Sequence, residues 1–265
     1  MLTKEQRAIL AQRHTDEMQR AYGDWINASI AQARVLEYKD TTLPSDAIGV
    51  YNTNIFLTAH GTIECATKCR DDSPYDRIAI LDFASYKNPG GGYMRGCVAQ
   101  DEIVCANTNL YNIISSQKFM AEFYEYNGKH LNNGAYSNRH IYVPSVVVIR
   151  PGTYNYFTVD VINCAAPNRT HALRYNNDIL PELDKAMTSR IDQVLYTAYK
   201  HEVTTLVLGA FGCGVFKNDP DFVAKEFMHL LTTKYKGVFA RVVFGVPDAS
   251  SKNYMAFAKY ITKKV

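Results

Sequence analysis

Short apolar runs alternate with stretches of helical spacing along most of the chain. Runs rich in Val, Ile and Phe at 47–51, 78–83, 146–149, 157–163, 204–208 and 241–246 have the length and composition of buried strands. Helical spacing marks residues near 55–69, 101–115, 173–200, 219–235 and 252–263. That alternation predicts an α/β fold, with helices on both faces of a parallel or mixed sheet. Residues 3 to about 36 read as helix. Thr3 and Gln6 fit a capping box, and Met18, Tyr22, Trp25, Ile26, Ile30 and Ala33 make one stripe that should be buried. The expected division is an N-terminal helical extension over 1–45 and one domain over 46–265. The stretch 116–145, containing "YNGKHLNNGAYSNRH", reads as a long polar insertion, and long loops in compact domains are usually functional or mobile.

Composition narrows the class only a little. The chain has 265 residues, 47% hydrophobic and 21% charged, which is ordinary for a globular protein able to bury a full core. A net charge of +3 is too small to predict a nucleic-acid binder. The first residues, Met1 to Arg7, put no apolar stretch behind a basic start, so no secretory signal is expected. No window approaches the ~18 apolar residues of a membrane span. Six scattered cysteines (65, 69, 97, 105, 164, 213) read as free thiols of a reducing compartment, so a cytoplasmic location is expected.

The chemistry gathers at two strand ends. One is Asn88-Pro89-Gly90-Gly91-Gly92, directly after the run at 78–83. The other is "LVLGAFGCGVFKNDP", Leu206 to Pro220, with Gly209, Gly212 and Gly214. Ligands of open α/β sheets bind beyond the carboxyl ends of strands, and glycine turns expose amides that cradle phosphate. Neither loop is a P-loop, because Cys97-Val98 stands where Lys-Ser/Thr is required after Gly91 and Gly96. Neither fits GxGxxG. Gln100, Asp101 and Glu102 follow the first loop at the start of a helical stretch, where acids either cap the helix or face the loop. His60, Cys65 and Cys69 are too few for a zinc site, and Cys213 has no adjoining His to make it a nucleophile.

These residues resemble a known family. "GGGYMRGCVAQDE" is similar to the GGG-x(6–8)-Q-E-E signature of the poly(ADP-ribose) glycohydrolases, which have a macrodomain fold. "ILDFASYKNPGGG", "TNLY", "VPSVVVIRPG" at 143–152, "VINCAAPN", "LVLGAFGCGVFKNDP" and "VVFGVPD" resemble its compact microbial branch in the same order, over about residues 46–265. The resemblance implies a three-layer α/β/α macrodomain with a mixed central sheet. It further implies hydrolysis of ribose–ribose O-glycosidic bonds, with no cofactor and no metal. Glu102 and Asp101 would be the catalytic acids, and Glu102 would protonate the departing oxygen and then activate water. Asn88, Gly90, Gly91, Gly92 and Gln100 would line the ribose side. Gly209, Ala210, Phe211, Gly212, Cys213, Gly214, Val215 and Phe216 would hold the diphosphate, with Phe216 over the distal ribose. Asn54 would lie near the adenine. Two positions depart from the pattern, since Asp101 replaces a Glu and Asn54 replaces an acid. The partners implied are ADP-ribose or poly(ADP-ribose), some of it on modified proteins, and no membrane. Nucleic acid is expected only where it is itself ADP-ribosylated. Two alternatives stay open: a hydrolase of mono-ADP-ribose on protein or nucleobase, and a macrodomain that binds ADP-ribose without cutting it.

Overall fold

The computed structural model describes residues 2–150, 155–175 and 177–263. Seven strands are formed: β1 (Arg34–Leu36), β2 (Asn54–Thr58), β3 (Ile78–Phe83), β4 (His140–Ile149), β5 (Tyr156–Cys164), β6 (Thr205–Leu208) and β7 (Arg241–Gly245). They make one mixed sheet in the order β1-β4-β5-β3-β6-β7-β2. The α-helices are α1 (Lys4–Gln32), α2 (Thr62–Asp72), α3 (Gln100–Ala106), α4 (Leu110–Ile114), α5 (Gln117–Phe119), α6 (Tyr126–Lys129), α7 (Arg169–Tyr175), α8 (Leu180–Lys200), α9 (Pro220–Thr232) and α10 (Lys252–Phe257). The mixed α/β class expected from the alternation is thus present. Among the described residues no helix is long and apolar enough to cross a membrane.

The chain divides into two compact units. The first comprises Met1–Leu36, Asp82–His130 and Arg139–Ala165. Here β1 and β5 flank β4, both antiparallel. The capping box at Thr3 forms as expected and starts α1. Ala11, Met18, Ile26 and Ser29 are the buried positions of that helix, and Tyr22 kinks it with φ −130°. The front of α1 seats on the first glycine turn. Arg7 Nε donates to Gly96 O at 2.8 Å, and Tyr93 OH donates to Ala11 O at 3.2 Å.

The second unit comprises Glu37–Leu81, Leu131–Asn138 and Ala166–Val265. Its strands run parallel, with β6 between β3 and β7, and β2 beside β7. Val207, Leu208, Val242, Phe244 and Leu57 bury fully or nearly so, as parallel strands covered on both faces must.

Three local expectations change. Residues 47–51 are not a strand, because Ile48, Val50 and Tyr51 are exposed and Gly49 sits at φ +79°. Gly49 N and Tyr51 N bond Lys236 O and Gly237 O as a loop, and the neighbouring 54–58 forms β2 in its place. Residues 116–139 hold α5, a π-helical turn over Met120–Glu125, α6 and a 3₁₀ turn, so they are no open loop, and β4 already begins at 140. Phe119, Phe123, Tyr124 and Asn127 are buried there at helical spacing. Helix 101–115 breaks into α3 and α4. Of the motif at 143–152, Pro151 and Gly152 lie outside the described residues.

Candidate active site

Strand β3 ends in the first unit with Asp82 and Phe83, and the chain then turns through Ser85 to Gly92. Gly90 and Gly91 both take φ +58°, which glycine adopts without steric cost. Space demands glycine as well. A Cβ on Gly91 would stand 2.7 Å from Glu102 Oε1, and one on Gly92 would stand 2.5 Å from Cys97 Sγ. Helix α3 then begins at Gln100, so its first turn points three polar side chains back at the loop.

Each of the three finds a backbone N–H. Gln100 Oε1 accepts from Phe83 N at 2.7 Å, Asp101 Oδ2 from Ser85 N at 3.0 Å, and Glu102 Oε1 from Gly92 N at 2.8 Å. Asp101 and Glu102 are buried. Glu102 Oε2 is buried too and makes no hydrogen bond among the described residues. One oxygen of Glu102 is therefore pinned by the glycine loop while the other is uncommitted, the geometry a proton-transferring carboxyl needs. Capping alone does not explain this pattern, since the partners belong to the end of β3 and the loop after it, and not to α3.

A third acid lies beneath. Asp82 is fully buried, with Oδ2 accepting from Asn163 Nδ2 at 2.7 Å and Oδ1 unpartnered. Burial pushes its carboxyl up to about 7, and the nearby Glu102 adds to the rise against the opposing Asn163 bond. Burial, then Asp82, holds Asp101 well above the usual carboxylate range, opposed by the Ser85 N–H. Asp82 and Asp101, buried close together, cannot both ionise cheaply. Tyr124, buried on the π-helical turn with its hydroxyl unpartnered, is raised by burial first and then by Asp101 and Asp82. Cys105 Sγ lies 3.8 Å from Asp101 Oδ1. Asp82, Asn163 and Tyr124 escape the sequence reading. A polar residue inside an apolar strand, as Asp82 and Asn163 are, is the signal that would have found two of them.

In the second unit, residues 209–218 form a tight turn. Gly212 takes φ +71°, and a Cβ there would stand 2.5 Å from Ala166 Cβ and 2.6 Å from Asn218 Nδ2. Asn218, buried, ties the turn by donating to Pro167 O at 2.7 Å and to Gly212 O at 3.0 Å. The N–H groups of Gly212, Gly214, Val215 and Phe216 donate to no group among the described residues. Successive free amides of this kind make an anion-binding nest. Phe211 is fully buried and Cys213 nearly so, its thiol pushed up by burial, which is the opposite of an activated nucleophile. Phe216 packs edge-on to Tyr136, with ring centroids 6.3 Å apart.

The structure thus brings Gly90, Gly91, Gly92, Gln100, Asp101 and Glu102 together in one unit and residues 209–216 together in the other. Asn88 is exposed at the head of the first loop, its N–H on Ser85 Oγ at 3.2 Å. Asn54 is not brought to either loop's strand end. It opens β2 in register with Arg241 and Thr205, at the amino edge of the parallel strands, and accepts from Lys263 Nζ at 2.8 Å. Residues 209–216 follow the carboxyl edge, on the order of 10 Å along β6. Among the described residues no group of three or more His, Cys, Asp or Glu is placed to hold a metal ion.

Fold and site together define an α/β protein of the macrodomain type, with paired acids behind a glycine turn. A family model, the microbial-type PARG catalytic domain, matches residues 6–151. Among solved structures, poly(ADP-ribose) glycohydrolase (PARG) from Deinococcus radiodurans in complex with ADP-ribose is 30% identical, with 89% of this chain and 96% of that chain covered and a TM-score of 0.79. The enzyme of the same name from Thermomonospora curvata bound to the inhibitor ADP-HPD is 29% identical, covering 96% and 98%, with a TM-score of 0.82. A further structure of the Thermomonospora curvata enzyme is 28% identical, covering 96% and 99%, with a TM-score of 0.85. Comparison with curated protein sequences yields no match. The chain belongs to the microbial-type poly(ADP-ribose) glycohydrolase family.

Proposed function

We infer that this chain is a poly(ADP-ribose) glycohydrolase, releasing ADP-ribose by hydrolysis of ribose–ribose bonds. Family membership and similarity to glycohydrolases bound to ADP-ribose support the activity. The observation that supports the chemistry is the half-committed carboxyl of Glu102, with Oε1 on Gly92 N and Oε2 buried without a partner. Glu102 donates its proton to the departing ribose oxygen as the glycosidic C–O bond breaks. Positive charge develops on the ribose left behind. The carboxylate then takes a proton from the water that attacks that carbon, which restores the acid. Most glycosidases divide these tasks between two carboxyls, whereas here one performs both. Asp101, held by Ser85 N, shapes the site from behind Glu102. Gln100 fixes the strand-to-helix geometry through Phe83 N.

The amides of Gly212, Gly214, Val215 and Phe216 take the diphosphate, where an anion satisfies donors that have no partner among the described residues. No step requires a metal or cofactor. A second reading, hydrolysis of mono-ADP-ribose from protein or nucleobase, draws on the shorter side chain at Asp101. Incubation with poly-, serine-, glutamate- and thymidine-linked ADP-ribose separates the two. Release of ADP-ribose from the polymer is expected. Release only from a mono-linked substrate moves the assignment to the second reading, and binding without release makes the chain a reader. Six free thiols, five of them buried, suit a reducing compartment such as the cytoplasm.

Gly91→Ala tests the loop. The added methyl collides with Glu102 Oε1, and its residue must keep φ near +58°. Displacing a reacting group by about 1 Å costs on the order of 10²-fold in rate. A fall of that size in kcat is expected, measured on poly(ADP-ribose), with the fold retained by circular dichroism.

A further inference from the structure

A cavity of about 480 Å³ opens between α1 and α3, in the first unit. Its walls include Leu10, Val98 and Ile103, which are 46%, 60% and 45% exposed. Glu102 is part of its lining. His14 and Asn107 supply polar atoms. His14 Nε2 is bonded to Thr108 O at 2.9 Å and Asn107 Nδ2 to Ile103 O at 2.8 Å, and the other polar side-chain atom of each makes no hydrogen bond among the described residues. Large apolar side chains clustered at an exposed groove mark a binding surface.

We propose that this groove receives the adenosine of the departing unit of the polymer, and so reads the leaving group. The inference rests on the glycohydrolase reading above. A residue that protonates the departing oxygen must face the departing group, and the groove is continuous with that residue. In a ribose–ribose polymer of ADP-ribose the departing hydroxyl belongs to an adenosine ribose. Largely apolar walls, with His14 and Asn107 among their polar groups, suit a flat base, whose faces are apolar and whose edge carries donors and acceptors. The volume lies within the usual range for small-molecule sites. The lining also holds two guanidinium groups: Arg13 is paired with Glu17 at 2.8 Å, and Arg7 donates to Gly96 O and Leu2 O.

Leu10→Ser and Ile103→Ser alter exposed walls without adding charge, and replace neither a loop residue nor an acid. Two substrates distinguish the sources of any effect: a dimer of ADP-ribose, and the methyl glycoside of ADP-ribose with the same linkage geometry. Each variant is expected to raise KM for the dimer about tenfold, while kcat/KM for the methyl glycoside stays within twofold. That unchanged arm also reports an intact fold. Equal effects on both substrates, or none on either, overturn the subsite. A change in sedimentation of the free protein assigns the patch to a second copy of the chain and overturns it also. Wild-type protein that cleaves neither substrate sinks the glycohydrolase reading, and the subsite falls with it.

Discussion

Glu102→Gln is expected to lower turnover of poly(ADP-ribose) by roughly 10²–10⁴-fold, the usual worth of general acid–base help. Glutamine keeps the shape and still offers an oxygen to Gly92 N, so the loop geometry described above should survive. What it loses is a proton to give and a charge to take one back. ADP-ribose affinity, measured by calorimetry, should change by no more than a few-fold, because the amides assigned to the diphosphate lie elsewhere in the chain. Wild-type turnover in this variant would remove Glu102 from the mechanism. Lost binding with a lost fold would make it a structural tie between α3 and the glycine loop.

Asp82→Asn should have the second largest effect, and on stability its sign depends on pH. The carboxyl of Asp82 titrates near 7 in the folded protein, against an ordinary value of ~3.9 in the unfolded chain. Between those values the folded state holds a proton that the unfolded state has released. Stability is therefore fully present below about pH 4, falls as pH rises, and has lost its whole share above pH 7. The loss is on the order of a few kcal/mol. Asparagine is never charged and still accepts from Asn163 Nδ2 through its amide oxygen. The variant should melt several degrees above wild type at pH 8 and show little gain at pH 5. Equal melting shifts at both pH values would mean that Asp82 does not ionise in this range. Activity should fall at the same time, since the charge balance around Asp101 and Glu102 changes.

How much of this was visible in the chain differs from residue to residue. The glycine triplet, the acids at 101 and 102, and the second glycine turn are contiguous and chemically conspicuous, so local reading finds them. Strand β3 was legible because its apolar run is unbroken up to Leu81. Asp82 stands out only as a lone acid closing that run, and its pairing with Asn163, 81 positions later, has no local sign. Tyr124 was hidden by its neighbours. The Asn- and Tyr-rich stretch looks polar, yet a π-helical turn buries Phe119, Phe123 and Tyr124 together. Where 54–58 displaced 47–51 as a strand, both segments are apolar, and pairing with β7 decided between them.

The triplet at 90–92 leaves no room for side chains. A methyl at Gly90 would meet Cys105 Sγ at 2.9 Å, one at Gly91 the carboxyl of Glu102, and one at Gly92 Cys97 Sγ. Drift at these sites is therefore yoked to drift at 97, 102 and 105. A descendant that discards the acid lifts the steric bar at 91 alone, because the positive φ of 90 and 91 and the cysteines opposite 90 and 92 still hold the turn to glycine.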